Sequence, residues 1–208
     1  MHKSTVEFQS SMTPASALQL LKEGNGRFVQ GQLGSRDYLE RVQDTSGGQW
    51  PFAAVLSCID SRVPAELVFD QGIGDVFSVR IAGNVVNEDI VGSLEFSCKV
   101  AGAKLIVVLG HERCGAVMGA CDGVKLGSLT GLLEKIEPAI EATELPNGEG
   151  PRDATNRDFV QAVAVKNAKM AAANILEQSE VLAEMHRAGQ IDIVGAMYDV
   201  ATGKVRFL

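Results

Sequence analysis

Two short segments concentrate the side chains able to do chemistry. One reads Cys58-Ile59-Asp60-Ser61-Arg62, the other His111-Glu112-Arg113-Cys114-Gly115. Thiolate and imidazole donors suit zinc, and a tetrahedral site needs four ligands. Cys58, His111 and Cys114 supply three, and the carboxylate of Asp60 completes the count. A carboxylate leaves a metal more readily than a thiolate does. Water could then take the vacated position and lose a proton far more easily than in bulk, giving a nucleophile at neutral pH. Arg62 stands two residues from Asp60, where its planar fork can hold the freed carboxylate through two parallel hydrogen bonds. Zinc and Arg62 would thus compete for Asp60, which makes a switch between a closed and an open site.

Each motif follows an apolar run of strand length, residues 52–57 before the first and 104–109 before the second. In an open α/β sheet, ligands bind beyond the carboxyl ends of the strands. If these two strands are neighbours, Cys58 and His111 converge although they are 53 positions apart. Further strands are expected at 76–82, 191–200 and 204–208, the last two joined through Thr202-Gly203. Helices are expected from 63–66, over 88–100 with Asn87 as cap, at 113–120 and 126–142, and as one long element over 159–187, with a loop at 145–151.

Ahead of all this, Thr13-Pro14 reads as a cap and first residue of a helix whose stripe, Ala17, Leu20, Leu21 and Phe28, is interrupted by Gly24 and Gly26. Residues 34–48 read as a long irregular connection. The arm could pack on its own domain or on a second subunit. The pattern predicts an α/β fold: a mainly parallel central β-sheet flanked by helices, with an N-terminal helical arm and a C-terminal antiparallel strand. One domain is expected over 1–208, with the arm and connection at 1–48 and the α/β zinc core at 49–208.

Composition narrows the function classes. The chain has 208 residues, 46% apolar and 22% charged, as soluble globular proteins do. A net charge of −7 and the lack of any basic run argue against nucleic acid. No apolar stretch approaches the length of a membrane span. The first six residues have no apolar segment of the secretory kind, so a cytoplasmic location is expected. There the four cysteines, 58, 98, 114 and 121, are metal ligands or buried thiols rather than disulfides.

At these motifs the chain resembles the β-carbonic anhydrases. The family's usual first motif, Cys-Ser-Asp-Ser-Arg, is matched by Cys58 to Arg62 with Ile59 in place of serine. Its second, His-x-x-Cys-Gly, is matched by His111 to Gly115, and the likeness extends through 20–31, 49–75, 80–85, 92–96 and 194–208. The resemblance implies reversible hydration of carbon dioxide to bicarbonate and a proton, by attack of zinc-bound hydroxide, with one Zn²⁺ per subunit. It implies that Asp60 and Arg62 form a catalytic dyad and that the Gln49 amide contacts substrate. By the same likeness Gly115 offers a backbone N–H near the metal, and Phe77, Ala82 and Phe96 line an apolar pocket. Phe96 stands where many plant-type members carry tyrosine. Gln49 aligns the chain with members whose resting site is open, so Trp50 is not read as the regulatory tryptophan of the closed group. A homo-oligomer, dimer or tetramer, is implied as well, with the arm crossing to the partner.

Two alternatives are weighed. A hydrolase of carbonyl sulfide or carbon disulfide could use the same site, but the retained Gln49, residues 61–64 and 82–84 favour carbon dioxide. A non-catalytic zinc-binding protein would be expected to have lost the Asp–Arg pair, and Asp60 and Arg62 are both present. The remaining candidates read as structural. His186 is a solvated residue at a helix end, and His2 lies in a stretch expected to be unordered. Cys98 and Cys121 are buried thiols on helices. Gly72-Ile73-Gly74 follows a helix rather than a strand and is no dinucleotide loop.

Overall fold

Strands β1 (Ala53–Ser57) and β3 (Leu105–His111) are buried at every residue, as continuous aliphatic runs must be when both faces of a sheet are covered. With β2 (Val76–Arg80), β4 (Asp192–Tyr198) and β5 (Val205–Phe207) they form one sheet in the order β2-β1-β3-β4-β5. The first four strands are parallel, and β5 returns antiparallel to β4. The computed structural model describes residues 4–145 and 148–208. His2 and part of the 145–151 loop lie outside them.

Strand alternation divides the core in two. Ala54, Leu56, Ile106 and Val108 face one layer with Phe159, Val163 and Leu182. Ala53, Val55, Leu105, Val107 and Leu109 face the other with Leu21, Phe52 and Phe69. Successive side chains of a strand point to opposite faces, so a helical layer on each side is required. The chain order also reverses between β1 and β3, which makes their carboxyl ends the switch point of the sheet.

The helices are α1 (Val6–Ser11), α2 (Pro14–Val29), α3 (Tyr38–Thr45), α4 (Ala65–Val68), α5 (Glu88–Glu95), α6 (Gly115–Cys121), α7 (Gly127–Leu133), α8 (Glu137–Glu141), α9 (Arg157–Gln178) and α10 (Glu180–Arg187). Local chemistry sets several boundaries. Thr13 and Ser16 form a reciprocal capping box with Pro14 in the first turn of α2, and Asn87 caps α5. The helix expected over 159–187 instead breaks at Ser179, whose hydroxyl accepts from Leu182 N–H and donates to Glu95. The α5 helix ends in a wider turn at Phe96–Val100, and the 126–142 stretch divides into α7 and α8.

The arm departs most from expectation. Helix α2 runs straight through Gly24 and Gly26, and α3 occupies the connection read as irregular. Ala17 and Leu21 are fully buried against the chain's own sheet, with Leu20 and Phe28 packed beside them. Gly24 is there for clearance. A Cβ at this position would lie 1.8 Å from the Phe69 carbonyl oxygen, whereas nothing comes within 4 Å of one at Gly26. Asn25 donates to the carbonyls of Val68 and Gly203 and accepts from Val205 N–H, tying α2 to the C-terminal hairpin. Ion pairs complete the attachment: Arg27 and Arg36 to Asp70, and Arg41 to Asp75. Among the described residues no helix is long and apolar enough to cross a membrane.

Two outcomes follow from the arm. Gly24→Ala should cost about 1–3 kcal/mol through overpacking. Gly26→Ala should instead stabilise the protein by about 0.5–1 kcal/mol; thermal melts of the two variants check the opposite signs. For Asp70, burial works to raise the carboxyl pKa, but Arg36 and Arg27 outweigh it and hold it below the usual range. A carboxyl depressed on folding contributes stability above its unfolded pKa of about 4 and loses it as pH falls through the folded value. Asp70→Asn should therefore lower the melting temperature at neutral pH, with the deficit shrinking below about pH 4. A deficit that stays constant across that range would contradict this account of Asp70.

Candidate metal centre

The β1–β3 ladder brings the two motifs together. Ser57 pairs with Leu109, so Cys58 leaves the sheet beside Gly110 and next to His111, the last residue of β3. Cys114 follows at the start of α6. The ligand atoms of Cys58, His111 and Cys114 all lie within 4.8 Å of one another, and all three residues are buried. The two sulfurs are 3.9 Å apart and unbonded.

The donor set fits a metal ion. His111 Nδ1 lies 2.9 Å from the Glu112 carbonyl. A carbonyl can only accept, so Nδ1 carries the proton and Nε2 presents its lone pair. That Nε2 is buried and has no hydrogen-bond partner, a costly arrangement unless something else satisfies it. The sulfurs point the same way. A hydrogen bond from Cys114 draws the Cys58 thiol down to about 4, against the effect of burial. Cys114 is pushed up by the same contact and by burial. Two adjacent buried sulfurs oppose each other's ionisation, and two negative charges there need a cation.

Asp60 stands outside this group and on Arg62. Arg62 Nε and Nη2 donate to its two carboxylate oxygens at 2.9 and 2.8 Å, and the Arg62 backbone N–H adds a third bond at 3.0 Å. The Arg62 guanidinium holds the Asp60 carboxyl well below the usual carboxylate range, although burial opposes it. Asp60 Oδ2 remains 4.0 Å from His111 Nε2, so the carboxylate borders the Cys–His–Cys group.

Several backbone features fix these loops. Gly83 N–H donates to Cys58 Sγ at 3.3 Å from the tight turn Ala82–Asn84. Gly83, Asn84 and Arg113 all have left-handed φ, at 66, 45 and 54°. For the two non-glycine residues this is strain of the kind that collects at functional sites. Arg80, at the end of β2, donates to the carbonyls of Cys58 and Asp60. The sequence reading does not single it out, though an arginine closing the strand Val76–Arg80 is a usable signal.

The other residues expected at the site are distributed more widely. Gly115 opens α6, and a Cβ there would meet open space. Ala82 is half-buried beside Gly83. Phe77 pairs with Ala54, four residues before Cys58, so it sits roughly 13 Å back along the sheet. Phe96 is half exposed and packs edge-on against Phe77 at 6.2 Å. Gln49 is exposed and lines a shallow depression with Thr45, Ser46 and Gly74. Cys98 is buried and Cys121 half-buried, their thiols pushed up by burial to about 12 and about 11. His186 is partly exposed, 3.4 Å from Asp192.

Comparison with known proteins gives the family and the fold. The carbonic anhydrase family profile matches residues 53–205. "Carbonic anhydrase 2" of Mycobacterium tuberculosis is 36% identical over 198 residues, covering 92% of this chain and 91% of its own. Among solved structures, the β-carbonic anhydrase CafA of Aspergillus fumigatus superposes with a TM-score of 0.70 at 24% identity, over 93% of this chain and 89% of its own. A β-carbonic anhydrase from Sordaria macrospora, described as tetrameric, does so at 0.69 and 21% identity, over 93% and 95%. These two share the fold. The chain belongs to the β-carbonic anhydrase family of enzymes.

If Cys58, His111 and Cys114 form one metal site, Cys58→Ser and His111→Ala should each lose bound zinc. Cys98→Ser should keep about one ion per chain. Metal analysis of the purified variants decides it, and full zinc in His111→Ala would exclude the group as a ligand set.

Proposed function

We propose that this protein catalyses the reversible hydration of carbon dioxide to bicarbonate and a proton, with Zn²⁺ held by Cys58, His111 and Cys114. The observation that carries the reading is the buried, unpartnered His111 Nε2 clustered with two sulfurs, bordered by a carboxylate that an arginine holds. Bound there, zinc supplies the Lewis acidity for which carbonic anhydrases are the standard example, bringing the pKa of water to about 7.

The chain's own groups supply the rest. Arg62 keeps Asp60 anionic and fixed in orientation, so its free lone pairs accept a hydrogen bond from the attacking water and aim that oxygen at the carbon. Both partners are prearranged before substrate arrives, which is the condition for strong electrostatic stabilisation. Asp60 is read as a ligand only when it leaves Arg62, and its three bonds there support an open resting site. Gly115 offers a backbone N–H for negative charge developing on the substrate oxygens. Ala82 contributes an apolar wall that suits an uncharged linear molecule.

Gln49, Phe77 and Phe96 are read as substrate contacts made from a second copy of the chain. The offset of Phe77 from Cys58 along the sheet and the exposure of Phe96 and Gln49 support this, as does the tetrameric relative. A homo-oligomer of single-domain subunits follows, and the four free cysteines accord with a reducing cytoplasm.

Stopped-flow hydration of carbon dioxide, with zinc analysis on the same samples, tests the proposal. Asp60→Asn and Arg62→Ala should retain zinc yet lose on the order of 100-fold in turnover. Normal zinc with no hydration in the unmodified protein would sink the assignment. Full activity in Arg62→Ala would remove the dyad.

A further inference from the structure

The sulfur of Cys58 accepts a backbone hydrogen bond whose geometry is set from the far side of the core. The donor is the N–H of Gly83, at 3.3 Å. Gly83 takes φ 66 and ψ 14, and a Cβ there would lie 2.8 Å from Ile136 Cδ1 and 3.3 Å from Ala116 Cβ. The turn therefore needs glycine both for its conformation and for its clearance. Such freedom also means that the residue itself does little to hold its N–H on the sulfur.

Asn167 supplies the restraint. It lies in the middle of α9, is 5% exposed, and its side-chain amide donates to the Gly83 carbonyl at 2.8 Å across 84 residues of sequence. The N–H to Cys58 and the carbonyl to Asn167 belong to the same residue, so the two hydrogen bonds together fix its orientation. Helix α9 is itself held close behind the site. The next residue, Ala168, is fully buried, and its Cβ lies 3.3 Å from where a Cβ at Gly110 would be, one residue before His111. Consecutive residues of one helix thus bear on the turn beside Cys58 and on the strand that ends in His111.

We infer that Asn167 is a positioning residue for the metal centre, holding the Gly83 N–H on the Cys58 sulfur and so tuning that donor without touching it. The inference rests on the reading of Cys58 as a ligand. An N–H···S bond withdraws electron density from a thiolate, and outer groups of this kind orient ligands and adjust their basicity. Without it the sulfur is more electron-rich and less firmly placed.

The test uses the full-length protein loaded with cobalt in place of zinc, with chelator competition for zinc affinity alongside. Asn167→Leu keeps the side-chain volume and removes the donor. It should weaken zinc affinity by about 10-fold or more and move the thiolate-to-cobalt charge-transfer band to longer wavelength. If that variant does not fold, Asn167→Ser, too short to reach Gly83, should give the same two changes. Val163→Ala, one turn earlier in the same buried helix, should lower thermal stability and leave band and affinity alone. An unshifted band with unchanged affinity in the Asn167 variants would overturn the inference, as would an equal shift in Val163→Ala. A wild-type protein with no thiolate band on cobalt would overturn the Cys–His–Cys reading, and this inference with it.

Discussion

The hydrogen-bonded ladder between β1 and β3 is the constraint on which the site depends. Residue-by-residue pairing from Ala53↔Leu105 to Ser57↔Leu109 leaves no freedom in where Cys58 and His111 emerge. A slip of one residue would turn every core side chain to the wrong face. The same burial that specifies register for the core therefore specifies it for the ligands. Cys114 is carried along, because only two residues separate it from the end of β3.

Around that ladder the protein tolerates arrangements that elsewhere would be costly. An imidazole nitrogen is buried without a partner, two sulfurs share a buried space, and Asn84 and Arg113 take left-handed backbone. Each costs stability on its own. They persist because the layers behind them are tightly packed: Gly110 against Met197 and Ala168, and Gly83 against Ile136 and Ala116. Electrostatics separates the two acidic systems of the site. The sulfurs are deep and favour a cation, while Asp60 is nearer the surface and already paired with Arg62. A carboxylate so paired is available to a reacting group without being free to wander.

The arm shows what patterning conveys and what it omits. Its apolar stripe, Ala17, Leu20, Leu21 and Phe28, was legible, and all four residues pack on the sheet. The reading of Gly24 as an interruption failed because helix propensity is a weak prior against tertiary contact. Gly24 lets α2 approach the Phe69 backbone, and that contact outweighs the propensity penalty. Helix α3 was missed for a related reason. It buries Arg41, whose partner Asp75 is 34 residues away, and no local window contains both. Ser179 split the expected long helix by capping the next one, a competition that apolar periodicity does not register.

The sequence by itself determined the donor types, the pairing of Asp60 with an arginine, the strands preceding both motifs and the parallel sheet. All of these are written in residue identity and short-range period. Only the tertiary structure decided that β1 and β3 are neighbours, that Asp60 rests on Arg62, that Arg80 grips the first motif, and that Asn167 reaches Gly83. Three of those facts join residues tens of positions apart, which packing brings together without leaving a local signal; the fourth, Asp60 on Arg62, is local in sequence, but the sequence left it open between zinc and the arginine. Phe77 is the complementary case: its residue type was readable, but its offset from Cys58 along the sheet is set by strand register.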